Sequence, residues 1–235
     1  MKTGIVLPTF RDDPSLARDV ARQAAALGVD GVFAYDHLWP MGNPERPAIA
    51  PFPFLASIAH EHPDLWVGPL VARIGLASDD VLVRQFATLN TVANGRVIAA
   101  VGTGDRLSQA ENEAYGIPFA SADVRREHLG SCVERLQTMG LATWIGGGAP
   151  ATLALAASLA CPVNLWSASP EALRSQGELT PVTWAGALSQ CDPKIDPSDH
   201  EAVRRLLSAL DDAGAQWAVL GWPAPLDVLG ECSTG

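Results

Sequence analysis

The sequence predicts a single α/β domain that folds as a (β/α)8 TIM barrel. Eight short apolar runs alternate with segments of helical period along almost the whole chain. A length of 235 residues suits one barrel, and no linker or low-complexity tract divides the chain. An open doubly wound sheet would show the same alternation, but eight near-evenly spaced units favour the closed barrel.

The predicted strands are short runs rich in aliphatic and aromatic residues. They comprise Gly4–Phe10, Gly31–Tyr35, Leu65–Val71, Arg96–Val101, Thr143–Ile145, Pro162–Trp166, Pro181–Ala185 and Gln216–Leu220. The predicted helices carry apolar residues at intervals of three and four positions. They comprise Ser15–Leu27, Phe52–Glu61, Asp80–Ala93, Ser121–Met139, Pro150–Leu159, Pro170–Gln176, Ser198–Ala213 and an abbreviated eighth helix within Leu226–Gly230.

Residues at the predicted helix starts support these boundaries. Asp13-Pro14-Ser15 opens the first helix with residues that favour a helix N-terminus. Pro150 and Pro170 lie in first turns, where the missing N–H of proline removes no intrahelical hydrogen bond.

Composition excludes several classes of partner. The formal net charge is −10 and no Lys/Arg run exceeds two residues, which disfavours nucleic acid and anionic membranes. No apolar stretch is long enough to span a bilayer, and the N-terminus lacks a signal-peptide pattern, so we expect a cytoplasmic protein. The four cysteines have no metal-site spacing, and no metal site is predicted; they are Cys132, Cys161, Cys191 and Cys232.

The Asp36-His37 pair ends the second predicted strand. Active sites of TIM barrels lie at the carboxyl ends of the strands, so this is an active-site position. His37 is a candidate general base or hydroxyl-binding group, with Asp36 fixing its tautomer or the loop backbone. A histidine that only caps a turn is the alternative interpretation.

Two glycine-rich turns follow later strands. In Gly102-Thr103-Gly104-Asp105 the backbone can approach a ligand closely, and Asp105 is either a proton donor or the cap of the next turn.

The second glycine-rich turn, Gly146-Gly147-Gly148-Ala149, leads into a helix N-terminus. Such a helix start exposes amide N–H groups suited to a phosphate. Close strand–helix packing is the alternative for this turn.

Charged residues near the third and fourth strand ends receive structural interpretations. Arg73 is expected to pair with an anionic group or to lie in a solvated ion pair, which is the commoner case. Glu111 and Glu113 are expected on an exposed helical face. The sequence contains no HExxH, P-loop, GxSxG or Cys/His nucleophile arrangement.

Several stretches together resemble one family, the luciferase-like flavin and deazaflavin oxidoreductases. They are "GIVLPTF", "ARQAAALGVDGVFAYDHLWP", "VLVRQFATLNTVANGRVIAAVGTGD", "ENEAYGIPF" and "TWIGGGAPATLALAASLACPVNLW", in the order of the family and covering residues 4 to about 166. The Asp-His pair and the Gly-Thr-Gly-acid turn look most like the branch that uses coenzyme F-420, a deazaflavin. The resemblance implies a luciferase-like TIM barrel, here shortened after the sixth strand.

The resemblance also implies roles for individual residues. Its catalytic set here is His37 as acceptor of a substrate hydroxyl proton, Asp36 as its neighbour and Asp105 as an acid. Its cofactor-binding set comprises a backbone bulge, the ribityl-phosphate side and the phosphate loop: Leu70, Val71, Ala72, Gly102, Thr103, Gly104, Gly146, Gly147, Gly148 and Ala149. A loop tryptophan assists in that branch, and Trp39 stands two residues after the histidine instead of four.

The functional prediction is an oxidoreductase that uses coenzyme F-420 to transfer hydride to or from a small organic substrate. An FMN-dependent monooxygenase and a catalytically silent flavin-binding barrel are the alternatives from the same fold. A phosphate-binding barrel isomerase that uses Gly146–Gly148 is a third. The family commonly pairs two barrels, so a homodimer is expected.

Overall fold

The computed structural model describes residues 1–40 and 42–233, which form a parallel β-barrel surrounded by helices. Its strands are β1 Lys2–Val6, β2 Gly31–Ala34, β3 Trp66–Pro69, β4 Ala72–Arg73, β5 Ile98–Gly102, β6 Ala142–Gly146, β7 Val163–Trp166, β8 Val182–Ala187 and β9 Ala215–Gly221. Its α-helices are α1 Ser15–Ala26, α2 Pro51–Glu61, α3 Asp79–Val92, α4 Ser108–Ala114, α5 Ala122–Thr138, α6 Pro150–Ser158, α7 Pro170–Gly177, α8 His200–Asp212 and α9 Leu226–Cys232. The predicted barrel is thus confirmed.

The sheet runs in the order β3-β2-β1-β9-β8-β7-β6-β5-β4, and its neighbours are parallel. Closure occurs between β3 and β5, where Val67 forms a parallel bridge with Val97 and donates its N–H to Arg96 O at 3.0 Å. Gly68 lies at this seam because a Cβ there would come within 2.3 Å of the carbonyl oxygen of Ile98. The seam therefore excludes a side chain at this position.

Three predicted boundaries differ from the structure for local reasons. The third predicted strand is divided into β3 and β4 at Leu70-Val71, which are joined by a cis peptide bond. The first strand ends before Pro8, whose missing N–H prevents it from donating to the ladder. Helix α4 is absent from the predicted helices, although Glu111 and Glu113 were expected on a helical face.

Two apolar layers surround the strands. The outer layer packs the helices on the sheet, and the inner layer fills the barrel with large aromatic side chains. Trp144 contacts both Phe33 and Trp217, with ring centroids 5.7 Å apart in each pair. Leu70 and Val71 pack on this inner layer at the carboxyl end of the barrel. Within the described barrel, the space for a ligand therefore lies at the mouth and not in the filled interior.

Across residues 1–40 and 42–233, every helix is too short or too polar to cross a bilayer. Within the same residues, no three His, Cys, Asp or Glu side chains are placed to bind a metal ion together.

We expect Gly68→Ala to lower the free energy of unfolding by about 1–3 kcal/mol, because the new methyl group would collide with the β5 backbone. Urea unfolding measures this change. Gly130→Ala in α5 is the matched control, because its Cβ would meet nothing closer than Leu155 Cδ1 at 3.5 Å. This control should gain up to about 1 kcal/mol from helix propensity. Equal unfolding midpoints for the two variants would contradict the prediction.

Candidate active site

A cavity of about 650 Å³ opens at the carboxyl ends of the strands. It gathers residues from the loops or ends of β1, β2, β4, β5, β6, β7 and β8, as expected for a barrel active site. The predicted site residues that line it are Asp36, His37, Leu70, Val71, Gly102, Thr103, Gly104, Asp105, Gly146, Gly147, Gly148 and Ala149. The structure thus places these residues around one space.

Two residues named from the sequence lie elsewhere. Ala72 pairs with Val101 in the sheet, and its side chain is fully buried in the outer apolar layer. Trp39 is buried against Tyr115, with ring centroids 5.7 Å apart, and does not line the cavity. Neither side chain contributes to the cavity wall.

Glu111 of α4 holds the site together, which corrects the expectation of an exposed helical face. Its side chain is 1% exposed. Its Oε1 lies 2.7 Å from His37 Nδ1, and its Oε2 accepts the N–H of Leu38 at 2.8 Å. Arg73, which is 4% exposed, donates from Nη2 to the same Oε2 at 3.1 Å. The expected solvated ion pair of Arg73 is instead a buried one.

The Glu111 contact fixes the tautomer of His37. Burial opposes ionisation of Glu111, but the hydrogen bonds from His37 and Leu38 and the charges of His37 and Arg73 hold its pKa below 4.5. An ionised carboxylate can only accept, so Nδ1 of His37 carries the proton. In the neutral imidazole, Nε2 is then the proton acceptor. His37 is 22% exposed and lines the cavity, so the arrangement provides a base there.

Asp36 contacts the backbone, one of the two functions that the sequence suggested for it. Its Oδ2 accepts the backbone N–H of Arg73 at 2.9 Å and so joins the end of β2 to β4. Burial raises the pKa of Asp36, and the Arg73 N–H offsets only part of that rise. Orientation of the imidazole belongs to Glu111, while Asp36 fixes backbone, the other function that the sequence suggested for it.

Asp105 caps the turn that begins α4. Its Oδ1 accepts the backbone N–H groups of Leu107 and Ser108 at 2.9 and 3.0 Å, and the Ser108 hydroxyl at 3.1 Å. This arrangement matches the capping interpretation of the sequence. Because α4 carries Glu111, Asp105 also helps to place the carboxylate that holds His37.

The glycines after β5 and β6 make room for Val71. A Cβ on Gly102 or on Gly146 would come within 2.6 Å of a Val71 methyl group. Val71 therefore rests on two glycine positions and forms the floor of the cavity above the inner aromatic layer. The glycines serve packing and at the same time keep this side of the cavity free of side chains.

The loop after β6 leads into the N-terminus of α6. Gly147 has a φ of +130°, a conformation that other residues rarely adopt, and its N–H donates to Asn164 O at 3.2 Å. Ala149 is the N-cap of α6 and Pro150 its first residue. The first amides of a helix have no intrahelical acceptors and carry partial positive charge. This part of the cavity is therefore suited to an anionic group.

An aromatic side of the cavity was not predicted. Phe10 stacks on Tyr35 with centroids 5.0 Å apart, and Trp166 lies 6.0 Å from Tyr35. Trp166 Nε1 donates to Gln190 Oε1 at 2.6 Å. Burial raises the pKa of Tyr35 to about 12, so its hydroxyl stays neutral at physiological pH. The one available signal was that Phe10, Tyr35 and Trp166 each end or follow a predicted strand.

Sequence comparison matches residues 1–139 to the profile of luciferase-like monooxygenases. An F-420-dependent glucose-6-phosphate dehydrogenase from Kineococcus radiotolerans is 28% identical over 140 residues, which cover 59% of this chain and 41% of the relative. A protein of the same description from Nakamurella multipartita is 32% identical over 97 residues, covering 41% of this chain and 29% of the relative. The matched chain thus spans less than half the length of these relatives.

Solved structures share the fold at low identity. An F-420-dependent secondary alcohol dehydrogenase, solved with an F-420–acetone adduct, has a TM-score of 0.80 at 15% identity, with 98% of this chain and 97% of that chain covered. The oxygenating constituent of 3,6-diketocamphane monooxygenase from Pseudomonas putida, solved with FMN, has a TM-score of 0.69 at 16% identity, with 100% and 97% covered. The predicted luciferase-like barrel is therefore confirmed.

We expect Glu111→Gln to destabilise the protein by up to about 3–5 kcal/mol, because it leaves the charge of Arg73 buried without a counter-charge. Urea unfolding at neutral pH measures the loss. Glu113→Gln is the matched control, since Glu113 lies two residues away on the exposed face of α4 and contacts only Gln109 in the described network. Its unfolding midpoint should stay close to that of the unaltered chain.

Acid titration of the same two variants tests the ionisation of Glu111. A carboxyl group whose pKa is lowered by folding contributes stability above its unfolded value near 4.5, and this contribution disappears as pH falls through the folded value. The unaltered chain and Glu113→Gln should therefore lose more stability below pH 4.5 than Glu111→Gln does. Parallel curves for all three proteins would show that Glu111 is not ionised in the folded state.

Proposed function

The chain belongs to the luciferase-like monooxygenase family, and on that premise we propose that it is an oxidoreductase that uses coenzyme F-420. The proposed reaction interconverts a small alcohol and its carbonyl compound. The placement of His37 supports this proposal most directly, because a buried carboxylate holds Nδ1 of a ring that lines the cavity and leaves Nε2 as the proton acceptor. That arrangement suits removal of a proton from a substrate hydroxyl.

The residues fit a cofactor with a flat ring and a phosphate. Gly102 and Gly146 leave one side of the cavity without side chains, and Val71 supports it from below. The loop Gly146–Ala149 and the start of α6 would hold the phosphate through neutral amide groups. A bound deazaflavin supplies hydride chemistry, whereas FMN also supports chemistry with oxygen.

The remaining residues hold the His37 ring in position for transfer of the substrate hydroxyl proton. Glu111 keeps the proton of the neutral imidazole on Nδ1. The hydrogen bonds from His37 and Leu38, together with the charge of Arg73, favour the ionised form of Glu111. Nε2 can then accept the hydroxyl proton and return it in the reverse direction. Asp36 and Asp105 act on the supporting backbone and on the start of α4. A direct acid role for Asp105 and the pairing of two barrels stay predictions.

Cofactor binding is the first test. We expect F-420 to quench the protein's tryptophan fluorescence on binding, and Gly148→Asp to weaken its affinity by about tenfold or more through charge repulsion with the phosphate. A Cβ at Gly148 meets nothing closer than Leu165 Cδ2 at 4.0 Å, so the loop can accept the substitution. An acidic residue near the N-terminus of α6 should also leave the fold intact.

Gly148→Ala is the control, because it adds the Cβ without the charge and should bind F-420 nearly as the unaltered chain does. Titration with FMN in parallel distinguishes the two cofactors, and tighter binding of FMN would transfer the proposal to the flavin-dependent branch. Binding of neither cofactor would reject the proposed function.

Turnover tests the base. We expect His37→Gln to reduce kcat by about 10²–10⁴ in steady-state assays with small alcohols and F-420, because no group would accept the hydroxyl proton. His60→Ala, an exposed histidine on α2, should retain normal turnover. If His37→Gln binds F-420 as tightly as the unaltered chain does, its lower kcat reflects a loss of catalysis and not a loss of cofactor binding. Unchanged kcat would remove His37 from the mechanism, and an active site with bound F-420 but no turnover on any substrate would favour the silent barrel.

A further inference from the structure

We infer that the cavity selects uncharged substrates with an aromatic or other flat apolar group and rejects sugar phosphates. This inference rests on the proposed function, because it assigns the α6 loop to the cofactor phosphate. The substrate must then bind with the rest of the cavity wall, next to His37. The charges and rings of that wall determine which substrates can bind.

Within the part of the chain that the structure describes, the cavity lining offers a second phosphate no free arginine or lysine side chain. Among the lining residues of the described chain, Arg73 is the single arginine or lysine, and it is committed to Glu111 and to the Ser108 carbonyl. A neighbouring arginine, Arg125, donates to Thr103 O at 2.8 Å and lies over the Phe119 ring at 3.9 Å. A phosphate monoester carries close to two negative charges and normally requires such side chains.

Carboxylates add to this exclusion. Asp36 and Asp105 both line the cavity, and the single positive charge of Arg73 is balanced by Glu111. A phosphorylated sugar would bring its charge near acidic groups without a cation to compensate the lost hydration. The glucose-6-phosphate dehydrogenases that resemble this chain are therefore a poor guide to its substrate.

The aromatic side of the cavity provides the positive selection. The His37 ring has Phe10 at 6.1 Å and Tyr35 at 6.4 Å between centroids. Trp166 is 42% exposed, although its Nε1 is held by Gln190, so its ring is fixed while its face remains available. A substrate that places a hydroxyl or carbonyl oxygen at His37 Nε2 would bring its neighbouring carbon atoms against these rings. Flat apolar groups gain most from such contacts.

Ligand binding to the full chain without cofactor, in a phosphate buffer that occupies the anion site of the α6 loop, tests the inference. Saturation-transfer NMR titrations compare benzyl alcohol with glucose 6-phosphate, and we expect binding of the alcohol and no competition by the sugar phosphate. Trp166→Ala should lower the affinity for benzyl alcohol roughly three- to tenfold, which corresponds to the interaction energies typical of aromatic pairs. Leu179→Ala is the control, because Leu179 is 69% exposed and precedes β8 at the opposite end of the barrel.

Trp166→Phe keeps a ring at the site and should retain most of the affinity even if Trp166→Ala folds poorly. Competition by glucose 6-phosphate, or equal affinities for benzyl alcohol in the unaltered chain and both Trp166 variants, would overturn the inference. Failure of F-420 to bind, with benzyl alcohol binding as expected, would instead reject the proposed function alone. The two failures are therefore distinguishable.

Discussion

The buried carboxylate of Glu111 is the interaction on which the rest of the site depends. It joins three segments that are far apart in sequence: the loop after β2 through His37 and Leu38, the end of β4 through Arg73, and helix α4. Burial of either charge, that of Glu111 or that of Arg73, would be unfavourable without the other. Removing one partner of a buried ion pair destabilises the fold by several kcal/mol, on the order of 3–5. The site is therefore positioned as a unit, and the direction of the imidazole follows from the same contacts that hold α4 on the barrel.

A second constraint comes from the packing at the barrel mouth. The inner aromatic layer fills the barrel, so the break between β3 and β4 must place Leu70 and Val71 on top of it. Val71 can occupy that position only because Gly102 and Gly146 lack side chains. The glycines thus have a structural cause that is independent of any ligand. Because they have no side chains, they also leave this wall of the cavity open to a ligand. The packing of Val71 and the access of a ligand are thus met by the same two residues.

The sequence predicted the parts that depend on local pattern. Strand and helix alternation defined the barrel, and barrel geometry placed His37 and both glycine turns at one mouth. Glu111 was misjudged because residues two apart on a helix face different directions, so that burial of Glu111 and exposure of Glu113 depend on where α4 packs. The sequence around α4 shows no regular helical period, so it did not indicate which face of the helix packs on the barrel. Trp166 and Phe10 were missed for a related reason, since a ring at a strand end joins a cavity only when distant strands meet.

In this cavity, two functions depend on different groups: control of the protonation of His37 and binding of an anion. Arg73 is paired with Glu111 and adds to the hydrogen bonds from His37 and Leu38 that favour its ionised form. The ionised Glu111 determines which nitrogen of His37 can accept a proton. An anionic group must then be held by the amide dipoles at the start of α6, which carry no net charge. Proton transfer and anion binding consequently depend on different elements, β4 with α4 in one case and the β6–α6 loop in the other. A chain of net charge −10 can in this way offer a local anion site, while the one arginine or lysine that lines the described cavity, Arg73, is paired with Glu111.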